Sequence, residues 1–228
     1  MKYFSKNQIE NLPRIFRLNL INSSTGYKSA NLIGTKSNGG NTNLAIFSSV
    51  THLGSDPALI SITLRPKTVS RNTYENMIET KVFTVNHISE KFITDANHTS
   101  AKYPKNFSEF DQTKLEPEYK KNFYPPYVKG APVQLGCKFI NEYYIKENDC
   151  SLVIASIDSI FVNKEIIKED GWLQLDKGKV VTVNGLDGYA LPKLKKRLQY
   201  ARPKKDYKYW NSNQIIISIK IVHWFDHI

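Results

Sequence analysis

Short runs of β-branched and aromatic residues recur along this chain, and few stretches between them carry a helical period. Residues 58–64 read ALISITL and follow Asp56-Pro57, a turn opener. Residues 81–88 (KVFTVNHI) alternate apolar with polar, and residues 31–35 are short and apolar. Residues 45–50 follow a glycine-rich turn, and residues 15–21 set Ile15, Arg17, Asn19 and Ile21 against Phe16, Leu18 and Leu20. Residues 133–145, 151–162 and 215–224 are rich in the residues that suit a pleated, half-buried surface. Helices are expected over 70–80, with a Tyr74, Met77, Ile78 face, over 89–98, and within 191–200. Many strands and few helices predict a mainly β fold, an antiparallel barrel with helices outside it or over its ends. With no internal repeat and no low-complexity linker, all 228 residues read as a single domain.

Composition narrows the setting. No run approaches the roughly 18 apolar residues of a membrane span. The start, Met1 to Lys6, is charged and lacks the apolar core of a secretory signal, so the cytoplasm is the expected location. Two cysteines, Cys137 and Cys150, are too few for a disulfide framework, and ordinary thiols are expected over one bridge. The net charge of +11 allows a nucleic-acid or membrane partner, but the lysines are scattered among abundant Asn and Ile. Their one concentration lies between Lys193 and Lys208, a solvated basic face or a catcher of phosphorylated ligands. Of the five histidines, only His223 and His227 lie four apart, and they sit on an apparent strand, so no metal site is expected.

Residues 41–50 (NTNLAIFSSV) stand out beside the pair Gly39-Gly40. Leu44 and Ile46 alternate with Asn43 and Ala45, and the run ends in Ser48-Ser49. Such a strand buries one face and offers hydroxyls and backbone on the other, which suits a flat, polar-edged ligand carrying a phosphate. A hairpin strand with polar decoration has the same pattern. Residues 103–128 are irregular, proline-containing and aromatic, a length that usually covers a site or an interface.

Several blocks, in order, make the chain resemble the flavin reductase-like family of FMN-binding split barrels. They are Lys28-Ser29-Ala30-Asn31-Leu32-Ile33-Gly34-Thr35, residues 41–50, and Asp56-Pro57 opening a strand that ends Leu64-Arg65-Pro66. Next come Arg71-Asn72-Thr73-Tyr74-Glu75-Asn76-Met77, Phe83-Thr84-Val85-Asn86, His98-Thr99-Ser100-Ala101-Lys102-Tyr103 and Ser108-Glu109-Phe110-Asp111. Asp170-Gly171, Gly185-Leu186-Asp187-Gly188-Tyr189 and Tyr200-Ala201-Arg202-Pro203 complete the set, which spans residues 12–203. Where the family often has Pro-Pro, this chain has Asp56-Pro57-Ala58.

The resemblance implies a six-stranded antiparallel Greek-key barrel with added helices, working as a homodimer with FMN at the subunit interface. It implies an FMN-dependent oxidoreductase, an NAD(P)H:flavin reductase passing hydride from nicotinamide to flavin. The recipient would be free flavin, a partner monooxygenase or another small acceptor. FMN itself brings the redox chemistry, so no catalytic side chain is expected; the protein binds and orients it. At the matching positions, Thr42, Asn43, Leu44 and Ala45 would meet the ring edge, and Ser48, Ser49 and Val50 the ribityl chain or phosphate. Arg65, Ser70, Arg71 and Thr73 would hold the phosphate at a helix start, where free N–H groups and the macrodipole favour an anion. His98, Thr99 and Ser100 would approach the flavin from a loop; His98 would position nicotinamide, substrate or ring, or simply end a helix. Lys102 and Tyr103 would add a cation and an aromatic face. Gly188 and Tyr189 would turn near the ring, with Tyr189 or Tyr200 stacking there or packing in the core. Two other readings stay open: an FMN-carrying electron-transfer protein without a nicotinamide site and, more remotely, a nucleic-acid-binding barrel.

Overall fold

The computed structural model describes residues 1–66, 71–104 and 106–202. It divides into a unit of Met1–Pro192 and a second unit of Lys193–Ile228, of which residues 193–202 are described. The expected strand over 215–224, His223, His227 and the end of the basic cluster (Lys204, Lys205, Lys208) lie outside the described residues.

The first unit opens with helices α1 (Lys6–Glu10) and α2 (Arg14–Ser24). Strands β1 (Lys28–Ser29), β2 (Asn31–Lys36), β3 (Thr42–Phe47), β4 (Val50–Ser55) and β5 (Ala58–Leu64) follow, then α3 (Asn72–Thr80) and β6 (Val82–His87). A 3-10 turn (Glu90–Phe92) leads into α4 (Ile93–His98). The rest is β7 (Pro117–Glu118), β8 (Tyr127–Val128), β9 (Val133–Ile145), β10 (Cys150–Val162), β11 (Thr182–Asn184) and β12 (Gly188–Ala190).

One antiparallel sheet dominates, in the order β3-β2-β6-β9-β10-β5-β4. Among the described residues it has seven strands and two edges, so the expected count of six strands in a Greek-key barrel is not borne out. The edge strands β3 and β4 are neighbours in sequence, joined only by Ser48 and Ser49. Consecutive Cα atoms are about 3.8 Å apart, so the three steps from Phe47 to Val50 span no more than about 11 Å. Opposite edges that close together require the sheet to curl back on itself, leaving a split between β3 and β4. Packing agrees: Ile33 of β2 shares one buried cluster with Ile60 and Ile62 of β5, though β6, β9 and β10 lie between them in the sheet. Register shifts at Ile154/Ala155, Ile157/Ser159 and His52/Gly54 supply bends of the kind that curl a sheet.

Alternation along β2 divides the core. Ile33 joins Phe83, Val85, Val153 and Met77 of α3 on one side, and Leu32 joins Leu44, Ile88 and Ala96 of α4 on the other. Phe110, Leu115 and Val128, from the irregular stretch 103–128, complete the second cluster, so that stretch covers the core.

Two expected elements are corrected. Residues 15–21 lie in helix α2, and residues 191–200 form no helix. In α2 no residue is fully buried, while a strand there would need a sheet edge to satisfy its backbone. The helix satisfies its own, after Pro13, and the amide of Asn22 and hydroxyl of Ser23 donate back to the carbonyls of Leu18 and Asn19. Over 191–200, Leu194 and Leu198 stay exposed beside Lys193, Lys195, Lys196 and Arg197. A helix there would gather like charges without burying its leucines.

Cys137 and Cys150 are both free thiols, Cys137 buried and Cys150 partly so. Burial pushes the Cys137 thiol up. A thiol reagent on the native protein is therefore expected to modify Cys150 alone, with the second equivalent reacting only in denaturant. Two equivalents reacting natively would contradict the packing around Cys137.

His87, at the end of β6, is lowered by burial from 6.5 to about 4. As pH falls, the unfolded chain takes up this proton first, so the stabilisation is complete above 6.5 and drains away as pH falls toward 4. Between pH 7.5 and pH 5 this single group is expected to withdraw about 2 kcal/mol. Urea midpoints of the protein and of His87→Gln at both pH values check this; equal pH slopes would contradict it.

Candidate functional site

The split between β3 and β4 gathers many of the expected residues. Ser48 and Ser49 bridge it, each partly buried. The Ser49 hydroxyl donates to the Thr63 carbonyl at 2.7 Å, which ties the bridge to the end of β5. From there the chain runs through Leu64 to Arg65, which is exposed, and Pro66. Ser70 lies outside the described residues, and the chain is described again from Arg71 at the start of α3. The Arg71 guanidinium donates to the Pro66 carbonyl at 3.3 and 3.4 Å, both longer than an optimal N–H···O bond. These links place Ser48, Ser49, Val50, Arg65 and Arg71 along one route from the split to the helix start.

That helix start has groups that could receive an anion. Arg71 occupies the N-cap but makes no side-chain capping bond. The first-turn N–H groups of α3 therefore lack the oxygen that Ser, Thr, Asp or Asn would supply at that position. Cationic side chains, a helix N-terminus and a nearby hydroxyl pair suit a phosphate monoester, and the side chains fit FMN in that respect.

The other end of β3 is already engaged within the fold. The Asn43 amide donates to Thr73 Oγ1 at 2.9 Å, both groups buried, which fastens β3 to the first turn of α3. Thr42 Oγ1 and Ser108 Oγ lie 2.8 Å apart. The Leu44 N–H, on the outer edge of the sheet, donates to Glu109 Oε2 at 2.8 Å, while Ala45 pairs with Ile33 of β2. Glu109 is the one buried acid among the described residues, and burial pushes its carboxyl up against the opposing pull of the Leu44 N–H. It takes the place of a missing strand partner along β3. Alternation marks none of this; Ser108 and Glu109 stand out only as part of a family block.

A second group forms around the end of α4. His98 Nε2 and the Tyr103 hydroxyl lie 2.5 Å apart, and the exposed Ser100 and Lys102 stand between them in the chain. Thr99 is buried and donates to the Ala96 carbonyl at 2.8 Å, so its hydroxyl serves its own helix. Gly188 begins β12, where the next residue, Tyr189, donates to Asn97 Oδ1 at 3.1 Å. Burial raises the Tyr189 phenol. Tyr200 belongs to the second unit and is exposed. Among the described residues, no hydrogen bond joins this group to the Ser48–Arg71 route.

Comparison with known proteins follows the same lines. The family model for the flavin reductase like domain matches residues 27–183. The crystal structure of a flavin reductase-type protein with a split barrel domain from Shewanella frigidimarina NCIMB 400 has a TM-score of 0.85 at 39% identity, covering 88% of this chain and 100% of that one. Nitrilotriacetate monooxygenase component B from Bacillus cereus superposes with a TM-score of 0.76 at 22% identity, over 87% of this chain and 98% of that one. An FMN-binding protein from Thermus thermophilus reaches a TM-score of 0.61 at 13% identity, over 79% and 93% of the two chains.

Proposed function

Because this chain belongs to the flavin reductase like domain family, we propose that it is an FMN-dependent oxidoreductase, an NAD(P)H:flavin reductase serving free flavin or a partner enzyme. The observation that carries the reading is the split. A hydroxyl pair bridges the two sheet edges and leads, through the end of β5, to an arginine at an uncapped helix start. Bound FMN would supply the acceptance and donation of hydride. The chain's own residues bind and orient. Arg65, Arg71 and the α3 N–H groups neutralise the phosphate, and Ser48 and Ser49 offer hydroxyls to the ribityl chain. The strand held by Glu109 and Thr73 forms a firm wall for the ring. We place FMN at the interface of a homodimer, where the His98–Tyr103 pair of one copy can meet the split of the other and position the nicotinamide.

Two similarities support a partner and the cofactor. The monooxygenase component B superposes along most of the chain, and a monooxygenase that consumes reduced flavin is an acceptor such a reductase would serve. The FMN-binding neighbour is consistent with the same cofactor.

Purified protein is expected to be yellow, to release FMN on denaturation and to quench the fluorescence of added FMN. A colourless protein without quenching would overturn the reading. In anaerobic stopped flow, NADH or NADPH is expected to bleach the bound flavin. Flavin that binds but is bleached by neither would mark an electron carrier without a nicotinamide site.

A further inference from the structure

A cleft of about 540 Å³ opens well away from the split, between the base of the β9–β10 hairpin and the turn before β11. None of the residues assigned above to FMN lines it. Its volume falls within the roughly 300–1,000 Å³ of small-molecule sites.

The floor is built and rigid. Gln134 is 2% exposed, and its amide is used on both sides. Its nitrogen donates to the Val128 carbonyl at 2.6 Å and to Glu118 at 3.2 Å, and its oxygen accepts from Lys120 at 2.7 Å. Lys120 also pairs with Glu118 at 3.0 Å and lies over the Phe161 ring, 5.0 Å from its centre. An ammonium held by an amide, a carboxylate and an aromatic face is fixed in place, so its position is set before any ligand arrives. Pro132, Ala131 and Val162 add an apolar wall.

The rim is basic. Lys91, Lys177 and Lys179 line the cleft with Lys120, against one acid, Glu118. Lys179 pairs with Glu90, while Lys91 and Lys177 have no ion-pair partner among the described residues. Positive charge concentrated in a concave, partly apolar space attracts anions more strongly than the same lysines spread over a convex surface.

We infer that this cleft binds an organic phosphate of nucleotide size, its phosphates among Lys91, Lys177 and Lys179 and its ring against the Pro132–Phe161 wall. The site is separate from the split and does not depend on the flavin reading. Ammonium groups at the rim recognise the charge, and the apolar wall recognises the ring. The fixed Lys120–Gln134 floor limits depth.

The test follows amide signals of the isotope-labelled full-length protein during titration with ADP, pyrophosphate and adenosine. ADP is expected to give saturable shifts at Gly130, Gly178 and Lys179 and at the Gln134 side chain. Pyrophosphate is expected to shift the lysine side of the same set more weakly, and adenosine to bind at least about tenfold more weakly than ADP. A Lys91→Glu/Lys177→Glu double variant is expected to lose about tenfold or more in ADP affinity, while its melting temperature and FMN affinity stay unchanged. Adenosine binding as tightly as ADP, shifts confined to the Ser48–Arg71 region, or an unaltered double variant would each overturn the assignment.

Discussion

Gly34→Ala is expected to destabilise the protein by about 3 kcal/mol or more, because it combines overpacking with a broken buried hydrogen bond. Gly34 lies in β2, opposite Leu44 of β3 on one side and Thr84 of β6 on the other. A β-carbon there would stand 2.4 Å from the Pro126 carbonyl oxygen and 2.6 Å from Thr84 Oγ1. Those two atoms are themselves hydrogen-bonded at 2.7 Å in the buried interior. The methyl group would enter that bond, and the obstructing oxygen belongs to backbone, which cannot swing aside as a side chain can. The damage would not stay local. Displacing β2 displaces Leu44, which is held by Glu109, and Asn43, which is held by Thr73. Flavin affinity should therefore fall together with stability. Urea unfolding followed by circular dichroism measures the first effect and fluorescence titration with FMN the second. Gly39→Ala is the control: its β-carbon would meet nothing nearer than Ser37 Oγ at 3.7 Å, and its stability should match the parent protein. A Gly34→Ala protein within about 1 kcal/mol of the parent would contradict the close approach of Pro126.

Arg71→Ala is expected to weaken FMN binding by about 1–3 kcal/mol, roughly five- to 150-fold in Kd, as befits loss of a charge-assisted contact. The reasoning is electrostatic. A guanidinium at a helix N-terminus faces the positive end of the macrodipole, an unfavourable position unless an anion shares it. Its bonds to Pro66 are long and it makes no side-chain capping bond, so among the described residues little in the fold explains it. Removing it should leave the melting temperature of the flavin-free protein unchanged or slightly raised. Arg71→Lys should recover only part of the affinity, because a point charge cannot clasp two phosphate oxygens as a guanidinium does. Unchanged FMN affinity in Arg71→Ala would place the phosphate elsewhere. A stability loss equal to the affinity loss would make Arg71 structural.

Much of the sheet was legible along the chain. The expected strand over 58–64 matches β5 residue for residue, and residues 133–145 match β9. Both carry dense β-branched or aromatic runs between clear turn signals. The α3 helix emerges within two residues of its expected start. Residues 15–21 misled because apolar alternation over so few positions fits either a strand or a helix. Pro13 and the absence of a sheet partner made it α2.

The candidate site divides in the same way. Residues 41–50 announced themselves by composition, since serines, threonines and amides clustered beside a glycine pair in an otherwise apolar run are chemically conspicuous. The sequence by itself determined where most of the described strands form, which family the chain resembles, and that Ser48-Ser49 and Arg71 are candidates for a phosphorylated ligand. Those properties depend on a residue's type and its near neighbours. Only the tertiary structure decided that Ser48 and Ser49 bridge opposite edges of one curled sheet. It also decided that the edge N–H of Leu44 belongs to Glu109, 65 positions away, and that four lysines from three separate segments line one cleft over Gln134. Pairing of strands and convergence of distant side chains depend on how the whole chain closes its core, and no local pattern encodes that.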